Sequence, residues 1–220
     1  MNIILGGTHG LGWEIACLMR KVGNECYIIG RSYDSAKHGK GARVDLANRE
    51  AVENFIFKLD SLFVENEIES FIWSAGVGYQ GDFELQQDVA TTVDINVTNS
   101  LLIAQKVWQK MCQQDSGKFV VISSSTGTKA RDNEAVYALT KHAQVGFARS
   151  LGLEAERLNC GVFVSLVLPG GMKTPFWDGH KPEGYETYND PQKVAQIIID
   201  EISRVNDTYH EYSIDRGAAA

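Results

Sequence analysis

Short runs of apolar and β-branched residues alternate along the chain with longer segments whose apolar positions recur at helical spacing. The apolar runs predict seven strands, at Asn2–Leu5, Glu25–Gly30, Ala42–Val44, Ser70–Ser74, Lys118–Ile122, Gly161–Leu168 and Tyr212–Ile214. The segments between them predict five helices, at Leu11–Lys21, Arg49–Phe63, Ala90–Gln113, Ala135–Arg157 and Pro191–Val205. Regular alternation of strands and helices predicts a doubly wound α/β fold, in which helices cover both faces of a parallel sheet.

No internal repeat, low-complexity tract or proline- and glycine-rich linker divides the chain, so we expect one domain over residues 1–217. Residues 173–189 differ from the rest, with little periodicity, several aromatic residues and two prolines. A long irregular segment in a compact domain is more often functional than idle, so we expect a substrate loop there rather than a plain connection. Residues 218–220 are three alanines, a tail that is either native or a cloning remnant.

The 220 residues carry a formal net charge of −7, and 44% of them are apolar. This composition excludes a disordered chain, and its acidic balance argues against a nucleic-acid partner. We expect no membrane span, because no apolar run approaches the roughly 20 residues that cross a bilayer, and no signal peptide. The four cysteines form no CxxC or metal-ligand pattern, so we expect no metal site and reduced, buried thiols in a cytoplasmic protein.

A glycine-rich turn, LGGTHGLG at residues 5–12, stands between the first predicted strand and the first predicted helix. Glycine is needed there for a sharp turn, for close approach of the backbone to a pyrophosphate and for close helix–strand packing. The helix N-terminus adds free N–H groups and partial positive charge for the phosphates. We therefore expect a Rossmann-like dinucleotide site formed by Gly6, Thr8, His9, Gly10, Leu11 and Gly12.

The end of the second strand indicates which dinucleotide binds. Gly30 stands where an acidic residue would hold a ribose 2′-hydroxyl, and Arg31 and Ser32 follow it. An arginine can form a two-pronged charge pair with a 2′-phosphate, and no carboxylate is present at this position to repel the phosphate. The pattern predicts NADP(H) in preference to NAD(H); the alternative is that Arg31 is a solvated loop cation.

Tyr137 and Lys141 lie four residues apart in the predicted helix that follows the fifth strand, so they share a helix face. A neighbouring ammonium favours the phenolate form of a tyrosine and brings its pKa closer to neutral pH. Three serines, Ser123, Ser124 and Ser125, directly follow the apolar strand before this helix. This combination predicts acid–base chemistry rather than an ordinary helix surface.

Together these motifs resemble the short-chain dehydrogenase/reductase family, over essentially the whole chain. The family's T-G-x-x-x-G-x-G turn matches residues 5–12, with Leu5 in place of threonine, and its N-N-A-G segment matches residues 73–76, with Trp73 and Ser74 in place of two asparagines. Its Y-x-x-x-K pair matches Tyr137 and Lys141. The resemblance implies cofactor contacts also from Asp45, Leu46, Ser74, Ala75, Gly76, Tyr137, Lys141, Pro169, Gly170, Met172 and Thr174.

The same resemblance implies a catalytic tetrad. Tyr137 would be the general acid or base, and Ser124 would hydrogen-bond the substrate oxygen, although its neighbours Ser123 and Ser125 compete for that assignment. Lys141 would lower the pKa of the tyrosine and hold the nicotinamide ribose. Asn96 would support a water-linked proton path through Lys141.

The implied function is an NADP-dependent oxidoreductase that transfers a hydride between nicotinamide and a small carbonyl or alcohol substrate. The alternative is a dinucleotide-binding sensor or signalling protein with little turnover. A nucleotide-sugar epimerase or dehydratase fits poorly, because too few residues follow Thr174 to form a substrate domain.

Substrate contacts are expected from the aromatic residues of the loop, Phe176, Trp177 and Tyr185, although these side chains could equally pack on one another. His180 and Lys181 could meet an anionic substrate or be solvated. The long helices 90–113 and 135–157 carry apolar residues on more than one face, and the resemblance implies a homodimer or homotetramer through them. Otherwise those residues all serve the core of one subunit.

Overall fold

A seven-stranded parallel sheet lies at the centre of the computed structural model, which describes residues 1–177 and 181–219. Its strands are β1 (Asn2–Leu5), β2 (Cys26–Gly30), β3 (Gly41–Arg43), β4 (Ser70–Trp73), β5 (Gly117–Ile122), β6 (Val162–Pro169) and β7 (Tyr209–Ile214). They lie in the order β3-β2-β1-β4-β5-β6-β7, and every neighbouring pair is parallel. The predicted doubly wound, Rossmann-like fold is confirmed. Its strand order changes direction between β1 and β4, where such folds bind ligands.

Seven α-helices are described: α1 (Gly10–Lys21), α2 (Ser35–His38), α3 (Arg49–Glu65), α4 (Val89–Val93), α5 (Asn99–Gln113), α6 (Ala135–Leu158) and α7 (Pro191–Arg204). Side chains at several helix starts accept backbone hydrogen bonds, as from Ala51 N to Asn48 at 3.0 Å and from Gln192 N to Asp190 at 2.7 Å. The short α2 is absent from the sequence prediction, because four residues give no measurable period.

Side chains of the central strands alternate between two apolar layers. Ile3 and Leu5 join the layer that packs beneath α3, α5 and α6, whereas Ile4 joins the layer beneath α1 and α7. All three are fully buried. This two-sided burial explains why the strands are continuously apolar in sequence rather than alternating with polar residues.

The single helix predicted over residues 90–113 is wrong in one respect, because a π-helical turn at Asp94–Thr98 separates α4 from α5. Asn96 lies in this turn and is fully buried. The extra residue of a π turn shifts the following helix face, and such turns are frequent at functional sites.

The C-terminal residues pack against the end of the irregular loop. Asp190 N donates to Ala219 O at 2.8 Å, Ala219 N donates to Asn189 Oδ1 at 3.1 Å, and Ala219 is buried. The edge strand β7 also starts earlier than predicted, at Tyr209, because pairing with β6 overrides its polar composition. None of the helices in the described ranges is long and apolar enough to cross a membrane.

Candidate active site

The glycine-rich turn joins the carboxyl end of β1 to the start of α1. Gly6 N donates to Ile29 O at 2.8 Å, which holds the turn beside the end of β2. A β-carbon on Gly12 would lie 2.5 Å from Gly6 O, so only glycine lets α1 start this close to the turn. His9 precedes α1, and its side chain makes no capping hydrogen bond to the first turn of the helix; its Nδ1 lies 3.1 Å from Thr8 Oγ1 instead. The first N–H groups of α1 are therefore available to an anionic ligand.

A cleft of about 280 Å³ extends from this turn to α6. Every residue predicted to bind a cofactor lines it, apart from Gly12, Pro169 and Gly170. Pro169 and Gly170 line an adjoining cleft, and Gly12 packs against the Gly6 carbonyl instead. Sequence reasoning missed several lining residues, whose only signal is that they follow a strand or adjoin a predicted residue: Val44, Val77, Ile95, Ile122 and Pro175.

Positive side chains gather where this cleft meets the loop after β2. Arg31 and Ser32 line it and are exposed. The pKa of His9 is lowered, mainly by burial and then by the positive charges of Lys37, His38 and Arg31. A group of cations close enough to depress a histidine pKa in this way favours binding of an anion among them.

His38 belongs to the supporting structure of this end. Its side chain is 1% exposed, and Nε2 lies 3.3 Å from the carbonyl oxygen of Thr8 in the glycine-rich turn. Nδ1 lies 2.9 Å from Asp34 N, which donates to it. The imidazole thus connects the loop after β2 to the turn after β1.

α6 brings Tyr137 and Lys141 to the carboxyl end of β5, which Ser124 follows. The side chain of Ser124 lies close enough to the Tyr137 phenol to act on its pKa. Lys141 Nζ lies 5.6 Å from the centre of the Tyr137 ring and donates to Ile122 O at 3.3 Å. Three of the four predicted catalytic residues therefore meet around the phenol of Tyr137.

Ser123 and Ser124 make different contacts. Ser123 is buried, and its Oγ donates to Lys141 O at 3.0 Å, which fixes the strand to the helix. Ser124 Oγ accepts a hydrogen bond from Thr126 N at 3.1 Å in addition to its contact with Tyr137. Geometry favours Ser124 over Ser123 for contact with a ligand at the phenol.

Burial dominates the titration of the pair. It raises the pKa of Tyr137 above its ordinary value, with the negative charge of Glu134 adding to the rise and the Ser124 hydrogen bond opposing it. Burial lowers the pKa of Lys141 to about 7. Burial of the phenol therefore outweighs the expected effect of Lys141, and the pKa of Tyr137 moves in the direction opposite to the lowering that the sequence predicts.

Asn96, the fourth predicted catalytic residue, is held by its own side chain. Its Oδ1 accepts from Val77 N at 2.8 Å, and its Nδ2 donates to Val77 O at 2.7 Å and to Thr140 Oγ1 at 3.0 Å. Its backbone carbonyl accepts from Gln144 Nε2 at 2.9 Å, and Gln144 Oε1 accepts from Lys141 Nζ at 2.9 Å. Sequence reasoning missed Gln144, although its position three residues after Lys141 places it on the same helix face.

Two positions that depart from the family pattern are core residues. Leu5 and Trp73 are fully buried, and the Trp73 ring packs edge-on against Phe147 at 6.0 Å between centroids. The Trp73 indole N–H meets no hydrogen-bond acceptor among the described residues. Ser74 keeps the backbone link between the two strand ends, since Ser74 N donates to Leu5 O at 2.9 Å.

A second cleft, of about 670 Å³, adjoins the first at Ser123 and Tyr137, which line both; Ser124 lines the second cleft alone. Trp177, Arg131, Lys181 and Arg216 line it together with the acidic residues Asp132, Glu134 and Glu183. The rim of this cleft therefore carries charges of both signs. The cleft does not favour an anionic substrate, which was one of the two interpretations of Lys181. His180 lies outside the described residues.

Aromatic side chains of the irregular loop reach Tyr137. The Phe176 ring lies 5.5 Å from that of Tyr137 and 4.9 Å from that of Trp177, measured between centroids. Phe176 and Trp177 also line a smaller cavity of about 410 Å³ beside Tyr137, with Tyr79 and Gln80. Tyr185 lines none of these three cavities and stacks on Tyr188 at 5.4 Å instead. The loop thus places two of its three predicted substrate residues at the site.

Residues 1–183 of the chain match the family described as short chain dehydrogenase. A curated relative, a 3-oxoacyl-[acyl-carrier-protein] reductase of Homo sapiens, is 24% identical, and the match covers 97% of this chain and 95% of the relative.

Solved structures share the fold. One titled "ElxO with NADP Bound" superposes with a TM-score of 0.81 at 21% identity and covers 99% of this chain and 98% of its own. A 4-hydroxyisoleucine dehydrogenase mutant complexed with NADH and succinate gives a TM-score of 0.83 at 19% identity, over 99% of this chain and 97% of its own.

Proposed function

The chain belongs to the short-chain dehydrogenase family and is thus an NAD(P)-dependent oxidoreductase, and we propose that it uses NADP(H) to interconvert a small carbonyl compound and its alcohol. One observation carries the proposal. Tyr137, next to Ser124 and Lys141, lines both the cleft after the glycine-rich turn and the larger cleft beside it. From this position Tyr137 can donate a proton to a substrate in the larger cleft while a cofactor occupies the other cleft.

The residues of the first cleft fit a dinucleotide. The turn from Gly6 to Gly12 carries no side chain where α1 begins, and the free N–H groups of α1 suit a pyrophosphate. Asp45 and Leu46 line the part of the cleft beyond β3, where they would contact the adenosine half. Met172, Thr174 and Lys141 line the opposite part and would hold the nicotinamide and its ribose.

The bound nicotinamide supplies the hydride for reduction of a carbonyl, or accepts it in oxidation of an alcohol. In reduction, Tyr137 donates its hydroxyl proton to the substrate oxygen; in oxidation, the phenolate accepts that proton. Ser124 hydrogen-bonds the same oxygen and stabilises the negative charge that develops there. Lys141, when charged, favours the phenolate and so brings the tyrosine toward the working pH.

Preference for NADP(H) is supported by the end of β2. Gly30 leaves no acid to bind a ribose 2′-hydroxyl, and the Thr8 side chain occupies the space where one would start. Arg31 and Ser32 line this part of the cleft, with His9 and Lys37 close by. A 2′-phosphate would gain charge-assisted hydrogen bonds here that a hydroxyl does not.

The substrate is proposed to be an apolar or ring-containing carbonyl or alcohol. Phe176 and Trp177 line the cavity beside the phenol, with Tyr79 on the other side. Aromatic walls favour flat or apolar groups because such surfaces bury well and stack at an offset.

The test is a screen for NADPH oxidation with ketones, aldehydes and quinones, run beside a Tyr137→Phe variant. We expect turnover of at least one class by the wild-type protein and its loss in the variant, while NADPH binding persists in both. Binding without turnover of any carbonyl would refute the enzyme and support the alternative, a sensor of the same fold.

Association into a homodimer or homotetramer is also proposed, through α5 and α6. Leu139 and Leu153 on α6 are 58% and 69% exposed, and Gly146 lies between them in sequence with no atom within 4 Å of its β-carbon position. An open apolar stripe of this kind suits a second helix. Light scattering after gel filtration should show an oligomer for the wild type and a smaller species for Leu153→Lys; a monomeric wild type would contradict it.

A further inference from the structure

The side chain of Gln144 lies between the π-helical turn and the catalytic lysine. It is 1% exposed, and both ends of its carboxamide are used. Nε2 donates to the Asn96 carbonyl at 2.9 Å, and Oε1 accepts from Lys141 Nζ at 2.9 Å. No other described side chain hydrogen-bonds the ammonium group.

The chemistry of the two neighbours decides what can stand between them. A backbone carbonyl only accepts hydrogen bonds, and an ammonium group only donates them. A group that links Asn96 O to Lys141 Nζ must therefore donate at one end and accept at the other. A carboxamide donates through its NH₂ group and accepts through its oxygen, in one fixed orientation. A water molecule can also donate and accept, and it can pass a proton along as well.

We propose that Gln144 is a positioning residue that fixes Lys141 against the Asn96 carbonyl and occupies the place expected for a linking water. This inference rests on the proposed function, since it assigns Lys141 its role beside Tyr137. Two of the three ammonium N–H groups then go to Ile122 O and Gln144 Oε1. The third has no partner among the described residues and is left for the cleft that Lys141 lines, where the ribose of a dinucleotide would accept it.

A consequence concerns the proton path. A glutamine amide neither gains nor loses a proton in the working pH range, so the connection from Asn96 to Lys141 holds geometry but does not relay protons. We therefore expect the Tyr137 phenolate to recover its proton from solvent water that enters the cleft of about 670 Å³, which Tyr137 and Ser124 line.

Lys141 itself reports whether Gln144 acts on it. Burial lowers the Lys141 pKa to about 7. The titratable group beside it is Tyr137, and its other neighbours, the Ile122 carbonyl, Asn96 and Gly76, do not titrate. A hydrogen-bond acceptor held against an ammonium favours the charged form, so removing it must lower the pKa further.

The first experiment titrates the lysine in the free protein. Lysine labelled with ¹³C at Cε is followed by NMR against pH, and Lys141→Arg assigns the signal. We expect Gln144→Met to lower the Lys141 midpoint by about one pH unit, the worth of one hydrogen bond to a charged group. Gln144→Glu should raise it, because a carboxylate favours the ammonium.

Gln114→Met is the matched control. Gln114 is a partly buried amide that bonds Ile68 N and O at 3.1 and 2.8 Å and also bonds Ser116, so its loss removes at least as many hydrogen bonds as the loss of Gln144. We expect no movement of the Lys141 midpoint in this variant. An unchanged midpoint in Gln144→Met, or an equal movement in Gln114→Met, would overturn the proposal, and neither result depends on turnover.

The second experiment compares two replacements in the enzyme. Gln144→Ala leaves room for a water between Asn96 O and Lys141 Nζ, whereas Gln144→Met fills the space without bonding either. We expect kcat of the alanine variant within about threefold of wild type and that of the methionine variant at least tenfold lower. A purely structural role requires the opposite order, because the smaller side chain leaves the larger cavity.

Discussion

The side chain of Thr8 fills the space that a side chain at position 30 would need. A β-carbon on Gly30 would lie 2.8 Å from Thr8 Cγ2 and 2.9 Å from Thr8 Oγ1. Both distances are too short for ordinary contact, so the glycine-rich turn after β1 and the end of β2 constrain each other. We therefore expect cofactor specificity to depend on Thr8 and position 30 together rather than on position 30 alone.

Gly30→Asp should destabilise the protein without improving NADH binding. The new side chain overpacks the contact with Thr8, which costs about 1–3 kcal/mol of unfolding free energy. The double variant Gly30→Asp/Thr8→Ala removes Cγ2 and Oγ1 and should recover most of that loss. It should also raise the ratio of NADH to NADPH affinity. Thermal unfolding and fluorescence titration with both cofactors measure these changes. Equal stability of the single variant and wild type would show that the contact relaxes freely.

Arg31→Ala should weaken NADPH binding by about 10- to 100-fold, the worth of one charge-assisted hydrogen bond to the phosphate. NADH lacks that phosphate, so its affinity should change by less than about twofold. Titration calorimetry with each cofactor gives both values.

Lys40→Ala is the matched control for this arginine, because Lys40 is an exposed cation nearby that pairs with Glu25. It should leave both affinities unchanged. Equal losses of NADPH and NADH affinity in Arg31→Ala would rule out a 2′-phosphate contact.

Local patterns predicted the features that depend on neighbouring residues in sequence. The strand around Ile3 and Ile4 could be predicted from sequence because burial on both faces of the sheet requires both side chains to be apolar. The glycine-rich turn could be predicted because the close contact that requires glycine, between Gly12 and the Gly6 carbonyl, joins residues only six positions apart.

Features that depend on distant contacts were not predictable. Nothing in the segment around Asn96 signals a π-helical turn, because its anchor is Val77 on another element. The position of Gln144 has no sequence signal beyond helical spacing, since its partners are Asn96 and Lys141 in three dimensions. The raised pKa of Tyr137 likewise follows from burial, which no motif contains.

Ser124→Ala should lower kcat by about 10²- to 10³-fold, the usual cost of removing one donor that stabilises the developing oxyanion. NADPH affinity should change little, because Ser124 does not line the cleft proposed for the dinucleotide. Ser125→Ala is the control at the next residue and should retain activity near wild type. Steady-state kinetics of both variants on one substrate would decide between the serines, and a greater loss in Ser125→Ala would reverse the assignment.

Lys141 should make stability depend on pH. Its folded pKa, about 7, lies below its ordinary value, so between neutral pH and about pH 10 the unfolded chain binds more protons than the folded protein. Stability therefore rises with pH across this window, and the cost of burying the charge is fully present below pH 7. Lys141→Met removes the titrating group, so it should unfold at a temperature that varies less with pH.

Thermal unfolding between pH 6 and 9.5 tests this difference. The methionine variant should gain most relative to wild type at pH 6, and the gain should shrink as pH rises, because wild-type Lys141 then loses its proton. Lys58→Met replaces an exposed lysine on α3 and should give a constant offset from wild type across the range. A constant offset for Lys141→Met as well would mean that Lys141 titrates in the folded protein as it does in the unfolded chain.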